Sequence, residues 1–360
     1  MRDAASAPGE ERRRILALIA PYEAPSVGRS LWQLASTLLA YAALETAMYA
    51  SLGVSYWLTL ALALPTAGMT VRLFIFQHDC GHRSFFRSQW ANVAAGRLCS
   101  LLTYTPFTCW RRQHAQHHAS FNNLDRRDRG LDIYSSCATV REYEALPASR
   151  RLLYRASRHP LLMLLVLPPV AFLLLYRVPF DTPAGWRQER QSVWWTNAGL
   201  VCLIGALVAT LGARAVALVQ LPVAVLGSAA GAWLFTVQHR FEASQWEPKE
   251  GWSQVQASLE GSSYLKLSAV LQWFTGNIGF HHIHHLSSRV PNYRLQECHE
   301  AAIPSGAVTT LTLRDALTAP CYALWDEQLR RMVRFPRRRW TWSVRRLPLG
   351  PLNGETRTVR

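Results

Sequence analysis

The sequence contains almost no lysine. Lys249 and Lys266 are the only lysines among 39 basic residues, so the formal net charge of +16 rests on arginine. A charge of this size is typical of proteins that bind nucleic acid or an anionic membrane surface. Hydrophobic residues make up 49% of the chain, close to the value for soluble proteins, and composition alone therefore does not choose between these partners.

Closely spaced cysteine pairs and an apolar run within the first 30 residues are also missing. None of the seven cysteines forms a Cys-x-x-Cys pair, which argues against a disulfide framework or a cysteine-bound zinc and favours a reducing, cytosolic environment. The first 30 residues are rich in arginine and contain no apolar core before Leu31, so we expect no cleavable signal peptide.

Apolar residues are concentrated in a few long runs. We predict that four of them span a membrane as helices, because each approaches the length that crosses a bilayer: 31–50, 54–76, 193–211 and 216–237. A fifth run, Leu161–Tyr176, is shorter and has Pro168 and Pro169 at its centre. We expect the prolines to break it into a re-entrant or interfacial segment that does not cross.

The distribution of arginine supports this topology. The loop 177–192 carries three arginines and the loop 212–215 carries one, and short cytoplasmic loops collect basic residues. Both termini and a polar cap, formed by 77–160 and 238–360, then lie in the cytosol. A membrane accounts for the charge, so membrane lipids are the expected partner and nucleic acid is not. The basic tail 337–342 is either a headgroup anchor or a solvated face.

Histidines are clustered. Ten of the twelve fall in four places, each beside a predicted membrane exit: 78–82, 114–118, position 239 and 281–285. Spacings of three and four residues place imidazoles on one face of a helix, and neutral imidazole binds iron, zinc, copper and nickel. One such pair is more often a polar helix end, but several clusters on one membrane face predict a shared metal centre.

Of the ten clustered histidines, His282 projects away from the others and is interpreted as a supporting hydrogen-bond donor. The remaining nine are too many for one ion, and two ions with four or five ligands each would use them all. Asn277 is a candidate ligand, directly or through water. His159 and His299 are interpreted as ordinary. Zinc hydrolases use fewer ligands, and the carboxylate di-iron bundle needs Glu-x-x-His, which does not occur. A nitrogen-rich pair of irons suits oxygen activation.

Four motifs resemble the membrane fatty-acid desaturase family, most closely its delta-12/omega-3 acyl-lipid branch. They are HDCGH at 78–82, HAQHH at 114–118, VQHRFE at 237–242 and GNIGFHHIHHLSSRVPNYRLQ at 276–296. The resemblance extends from about residue 31 to about residue 300. It implies an all-α integral membrane fold, with four spanning helices under a cytosolic helical cap that holds a di-iron centre. The implied ligands are His78, His82, His114, His117, His118, His239, His281, His284 and His285.

The resemblance also implies a reaction. Two hydrogens leave adjacent methylenes of a long acyl chain, carried by a lipid, by coenzyme A or by acyl carrier protein, while O2 and two electrons are consumed. The fused cytochrome b5 module of some relatives, marked by His-Pro-Gly-Gly, is absent, so the electrons are expected from a separate ferredoxin or cytochrome b5, drawn to the arginine-rich face.

Other functions remain open from the sequence. Membrane hydroxylases and ketolases use the same scaffold and the same motifs. A histidine-rich metal transporter would need ionisable groups near the membrane midplane, where only Glu45 comes close, and a b-type cytochrome would place its histidines within the spanning helices.

Overall fold

The computed structural model describes residues 8–127 and 134–336, and the basic tail 337–342 lies outside them. The helices are α1 (Pro8–Ile19), α2 (Val27–Ser51), α3 (Tyr56–His82), α4 (Gln89–Leu102), α5 (Phe107–Ser120), α6 (Val140–Ala145), α7 (Ala148–Ser157), α8 (Leu167–Leu173), α9 (Arg187–Leu211), α10 (Ala213–His239), α11 (Gln254–Glu260), α12 (Ala269–Phe274), α13 (His281–Leu286), α14 (Leu295–Ala302) and α15 (Leu313–Thr318). The strands are β1 (Ala138–Thr139), β2 (Tyr264–Leu265), β3 (Thr310–Leu311), β4 (Tyr322–Asp326) and β5 (Arg331–Arg334).

Three helices in the described residues, α3, α9 and α10, are long and apolar enough to cross a membrane. The chain is mainly helical, as predicted. The remaining predicted span, 31–50, lies in α2, which is as long as α9. Polar residues such as Gln33, Ser36 and Glu45 lower the hydropathy of α2. Helices α3 and α10 continue past the predicted apolar runs and end at His82 and His239. The same rigid helices that are apolar enough to span therefore carry histidines at their ends.

Helices α4 and α5 form a hairpin that packs between α3 and α9. Its close packing depends on glycine, because a Cβ at Gly96 would lie 2.4 Å from the buried ring of Phe107. A Cβ at Gly199 of α9 would lie 2.7 Å from Leu101. At the tip of the hairpin, the Thr103 hydroxyl donates to Gln77 of α3 at 2.6 Å, so the hairpin is also held through a buried polar contact.

The run 161–176 remains helical through its prolines. A π-helical turn, Leu162–Val166, leads directly into α8, whose first turn contains Pro168 and Pro169. Proline is tolerated there because the first amides of a helix have no partner within it. The bend instead lies before the π turn, where α7 and the helical stretch 162–177 meet at 58°. The expectation of a proline break was therefore wrong in its position.

The cap contains two small sheets, so the all-α prediction was incomplete. One sheet has the order β1-β4-β5, with β4 parallel to β1 and antiparallel to β5, and the other pairs β2 with β3 in parallel. Strands of two residues leave no alternating pattern in a sequence. The apolar core of the cap includes Ile278, Ile283 and Leu286, and Ile19 of α1 packs against it.

The hairpin packing gives a testable expectation. Gly96→Ala should destabilise the protein by about 1–3 kcal/mol, because the added methyl group overpacks a site that has no room to relax. Gly205→Ala in α9 is the matched control, since no atom lies within 4 Å of its added Cβ and alanine favours a helix. Thermal unfolding in detergent should show a lower Tm for the first variant alone. Equal Tm values would contradict the close contact.

Candidate metal centre

The four predicted histidine places meet in space. The ends of α3 and α10 point toward α5 and α13, and nine buried or half-buried histidines form two groups. Within each group the ligand atoms lie within 4.8 Å of one another. The five-histidine group is His78, His82, His114, His118 and His284, and the four-histidine group is His117, His239, His281 and His285.

Helical geometry explains how the histidines divide. Successive residues of an α-helix are about 100° apart, whereas residues four apart share a face. His114 and His118 therefore join the five-histidine group together, while their neighbour His117 joins the other group. In α13, His281 and His285 likewise stay together and His284 turns the other way. Helices α5 and α13 thus each contribute to both groups and hold them side by side.

The ring nitrogens converge. The Nε2 atom of His239 lies 3.0 Å from that of His281 and 3.2 Å from those of His117 and His285. In the five-histidine group, the Nε2 atom of His284 lies 2.8 Å from that of His118 and 3.0 Å from that of His78.

A metal ion fits this arrangement better than hydrogen bonds do. A neutral imidazole carries one proton, so several nitrogens that face one point cannot all find a donor among themselves. Ligands about 2.1 Å from an ion at tetrahedral or octahedral angles lie about 3.0–3.4 Å apart. The observed separations of 2.8–3.2 Å are close to this range. Both groups therefore suit a cation with nitrogen ligands.

Burial sets the charge of these rings. It lowers the pKa of five histidines of the cap well below the usual value, and the charge of neighbouring imidazoles lowers it further: His114, His118, His281, His284 and His285. The rings are therefore neutral near pH 7, which is the form that binds a metal.

A carboxylate that the sequence analysis overlooked supports the centre. The Asp79 Oδ1 atom lies 3.2 Å from Nδ1 of His78, and its Oδ2 atom accepts hydrogen bonds from the backbone and side-chain amides of Asn292, at 2.7 and 2.9 Å. A carboxylate in this position orients the ring and makes its other nitrogen a better ligand. The available signal was a single aspartate inside the motif HDCGH.

Asn277 and His282, the two other residues predicted for the site, contact residues outside the histidine groups. The Asn277 side chain donates to the carbonyl of Asn292 at 3.1 Å. The Nε2 atom of His282 contacts Nδ1 of His299 at 2.9 Å, and burial lowers the pKa of His282 to about 3. His299 thus has a partner that the sequence did not indicate, whereas His159 is exposed and belongs to neither group.

An apolar cavity of about 270 Å³ reaches both groups. It lies between α3, α8 and α10 and contacts His78, His114 and His281. The segment 90–110 contributes Thr103, Tyr104 and Trp110 to its walls, and α8 contributes further apolar residues. The Trp110 ring stacks on that of His114, with centroids 4.7 Å apart. An apolar ligand in this cavity would therefore lie directly against the histidines.

Apolar helices of membrane-spanning length, two histidine groups that could hold metal ions and an adjoining apolar cavity are the combination expected of a membrane protein whose metal site faces an apolar ligand. The family model for fatty acid desaturases matches residues 55–312, and the chain belongs to this family. It is accordingly an enzyme of the fatty acyl desaturase class.

Several known proteins are similar to the chain over most of its length. A fatty acid desaturase of Bacillus subtilis is 41% identical over 325 residues, which cover 90% of this chain and 91% of the relative. An sn-1 oleoyl-lipid 12-desaturase of Picosynechococcus is 29% identical over 70% of this chain and 71% of its own. A delta(12) fatty acid dehydrogenase of Crepis alpina is 25% identical over 65% of this chain and 64% of the relative.

The role of Asp79 can be measured. Asp79→Asn should weaken metal binding about 10- to 100-fold, because His78 loses the carboxylate that orients it. Asp125→Asn is the control, since that exposed carboxylate only accepts a hydrogen bond from the Lys249 amide. Competition with a chelator reports the affinity, and an unchanged value in the Asp79 variant would contradict the role.

Proposed function

We propose that the protein is an O2-dependent desaturase that uses two iron ions to introduce a double bond into a long fatty acyl chain. The observation that carries this proposal is the pair of imidazole groups beside one apolar cavity. Of the delta-12 and omega-3 types, the names of the Picosynechococcus and Crepis relatives favour delta-12. The oleoyl-lipid substrate of the former favours a lipid over acyl-CoA or acyl-ACP as the acyl carrier.

The proposed iron ligands are the nine histidines of the two groups, with Asn277 and His282 in supporting positions. Bound iron would supply the oxidising power that an unactivated C–H bond requires, since such a bond offers no charge to an acid or a base. In the overall balance, the two methylenes lose two hydrogens, and O2 with two further electrons and two protons becomes two waters.

The protein's own part is to place the methylenes. The cavity walls exclude water and hold the chain against the rings of His78, His114 and His281. Because Trp110 covers one face of His114, the chain meets a flat aromatic wall there.

We further propose four spanning helices, with α2 as the fourth. At its start, the Ser26 amide donates to the Tyr293 hydroxyl at 2.7 Å and the Ser30 hydroxyl to the Phe85 carbonyl at 2.5 Å, on the histidine side. At its end, the Ser51 and Thr59 hydroxyls meet at 2.7 Å beside the start of α3. The helix therefore runs the full length of the bundle, about 38 Å at about 1.5 Å per residue.

The positions of the histidine groups also support a proposal about which segments cross the membrane. Helices α3 and α10 both end at the centre, and Glu189 at the start of α9 accepts from Arg112 of α5 at 3.3 Å on the same side. The chain from 83 to 186 thus leaves and returns to one membrane face, so the bent segment from α7 to 177 does not cross alone. By the arginine distribution this face is cytosolic.

The electron donor is proposed to be a separate acidic protein of ferredoxin or cytochrome b5 type. Exposed arginines on the cap support this, among them Arg141 and Arg289, whose side chains are 82% and 73% exposed. Attraction between such a surface and an acidic partner raises the rate of encounter.

The lipid product distinguishes a desaturase from the alternative functions. A host that expresses the protein should gain a new double bond in its membrane acyl chains, which mass spectrometry can locate. New hydroxyl- or keto-bearing chains without added unsaturation would instead favour the hydroxylase or ketolase alternative. Metal uptake without any new lipid product would favour a transporter.

The ligand assignment has its own test. His239→Ala should abolish desaturation and lower bound iron from two ions per chain toward one, because His239 belongs only to the four-histidine group. The control is His159→Ala, which removes an exposed histidine outside both groups and should leave iron and activity unchanged. Equal iron content and activity in the two variants would contradict the assignment.

A further inference from the structure

A second cavity, of about 430 Å³, adjoins the apolar one. Both cavities are lined by Trp110, His114, Tyr176 and Phe235, so they meet at the five-histidine group. The second cavity differs in chemistry, because its walls include arginine, serine, glutamine and asparagine side chains. A polar compartment and an apolar compartment in contact suit a ligand that has a polar end and a long apolar chain.

Arg127 combines low exposure with an unsatisfied donor atom on a side chain that lines the polar cavity. Its side chain is only 9% exposed, and its guanidinium forms an ion pair with Glu142 through Nη2. Its Nη1 atom is buried and has no hydrogen-bond partner in the part of the chain that the structure describes. An unsatisfied buried guanidinium donor is costly, and the Arg127 side chain lines a cavity large enough to hold a ligand.

The surroundings of Arg127 are positive. Arg126 also lines the cavity, and the buried Arg158 contacts the carbonyl of Ser136, a further lining residue, at 3.4 Å. Glu142 is already paired with Arg127, and the lining carboxylate Asp181 is exposed to solvent. Arg126 is exposed like Asp181, but Arg127 and Arg158 are poorly exposed, and the single carboxylate of Glu142 balances only one of these two charges. This excess of buried positive charge favours an anion, and a guanidinium binds phosphate oxygens particularly well.

We propose that the polar cavity binds the phosphate group of the acyl carrier, with the guanidinium group of Arg127 as the donor, while the acyl chain enters the apolar cavity at the histidines. This inference rests on the proposed desaturase function and adds the substrate class, a phosphate-bearing acyl carrier. The phosphate comes either from a membrane phospholipid or from the phosphopantetheine of a soluble acyl thioester, and the two sources share the same chemistry.

The test compares three substrates with the same acyl chains. Iron-loaded protein in nanodiscs, supplied with a reductant, receives phosphatidylglycerol, a neutral diacyl galactosylglycerol or the soluble coenzyme A thioester. Arg127→Gln should raise KM for the phosphate-bearing substrate about tenfold or more and leave kcat nearly unchanged, as expected for loss of a charge-assisted hydrogen bond. The arm in which KM rises, phospholipid or thioester, identifies the source of the phosphate.

A binding measurement accompanies the kinetics. Native mass spectrometry of the purified full chain should show about tenfold less retained phosphatidylglycerol, or thioester, in Arg127→Gln, with partial recovery in Arg127→Lys. Arg331→Gln is the matched control, because Arg331 also pairs with a glutamate, Glu242, but does not line the cavity. It should behave like the unmodified protein.

Glu142→Gln separates anion binding from a structural role of Arg127. Glutamine preserves the capping box that Glu142 forms with Thr139, and the freed guanidinium should retain the phosphate-bearing substrate as well as before or better. Equal losses in Arg127→Gln and Glu142→Gln would overturn the proposal, as would an equal loss for the neutral galactolipid. Unmodified protein that forms no double bond from any substrate would refute the desaturase function itself.

Discussion

The convergence of nine imidazoles on two points is the constraint on which the rest of the structure depends. The Nε2 atoms of His239 and its neighbours lie 3.0–3.2 Å apart with too few protons to satisfy one another, so the arrangement suits a cation better than it suits mutual hydrogen bonds. Because His82 ends α3, His239 ends α10 and both belong to the histidine groups, the two helices end on one side of the bundle. A requirement of coordination chemistry thereby limits the topology of the whole chain.

The position of the two cavities follows from the same centre. Buried neutral rings form one wall of an apolar space. Hydrocarbon can lie against these rings because, being buried, they lose no hydrogen bonds to water when it does. The adjoining polar space begins at His114 and contains Arg127. An amphiphilic substrate would therefore be divided at the histidines, and the distance from its bound polar end to the rings would determine which methylenes are presented.

Local patterns revealed the long helices and the histidine clusters, because spacings of three and four residues and runs of about 20 apolar residues are visible within one segment. Contacts between distant segments were not visible. Asp79 meets Asn292 across 213 positions, and nothing near either residue indicates the other. Helix α2 was predicted from its apolar residues, although its Glu45 is compensated by Gln220 of α10, which donates to it at 2.6 Å. Strands β2 and β3 are too short to leave a period of two.

X-ray absorption at the iron edge, combined with the iron content per chain, tests the central claim most directly. Two irons per chain are predicted, each with a first coordination shell dominated by imidazole nitrogen and with the multiple-scattering pattern of several histidine rings. One iron per chain, or a shell dominated by carboxylate oxygen or by thiolate sulfur, would contradict the account.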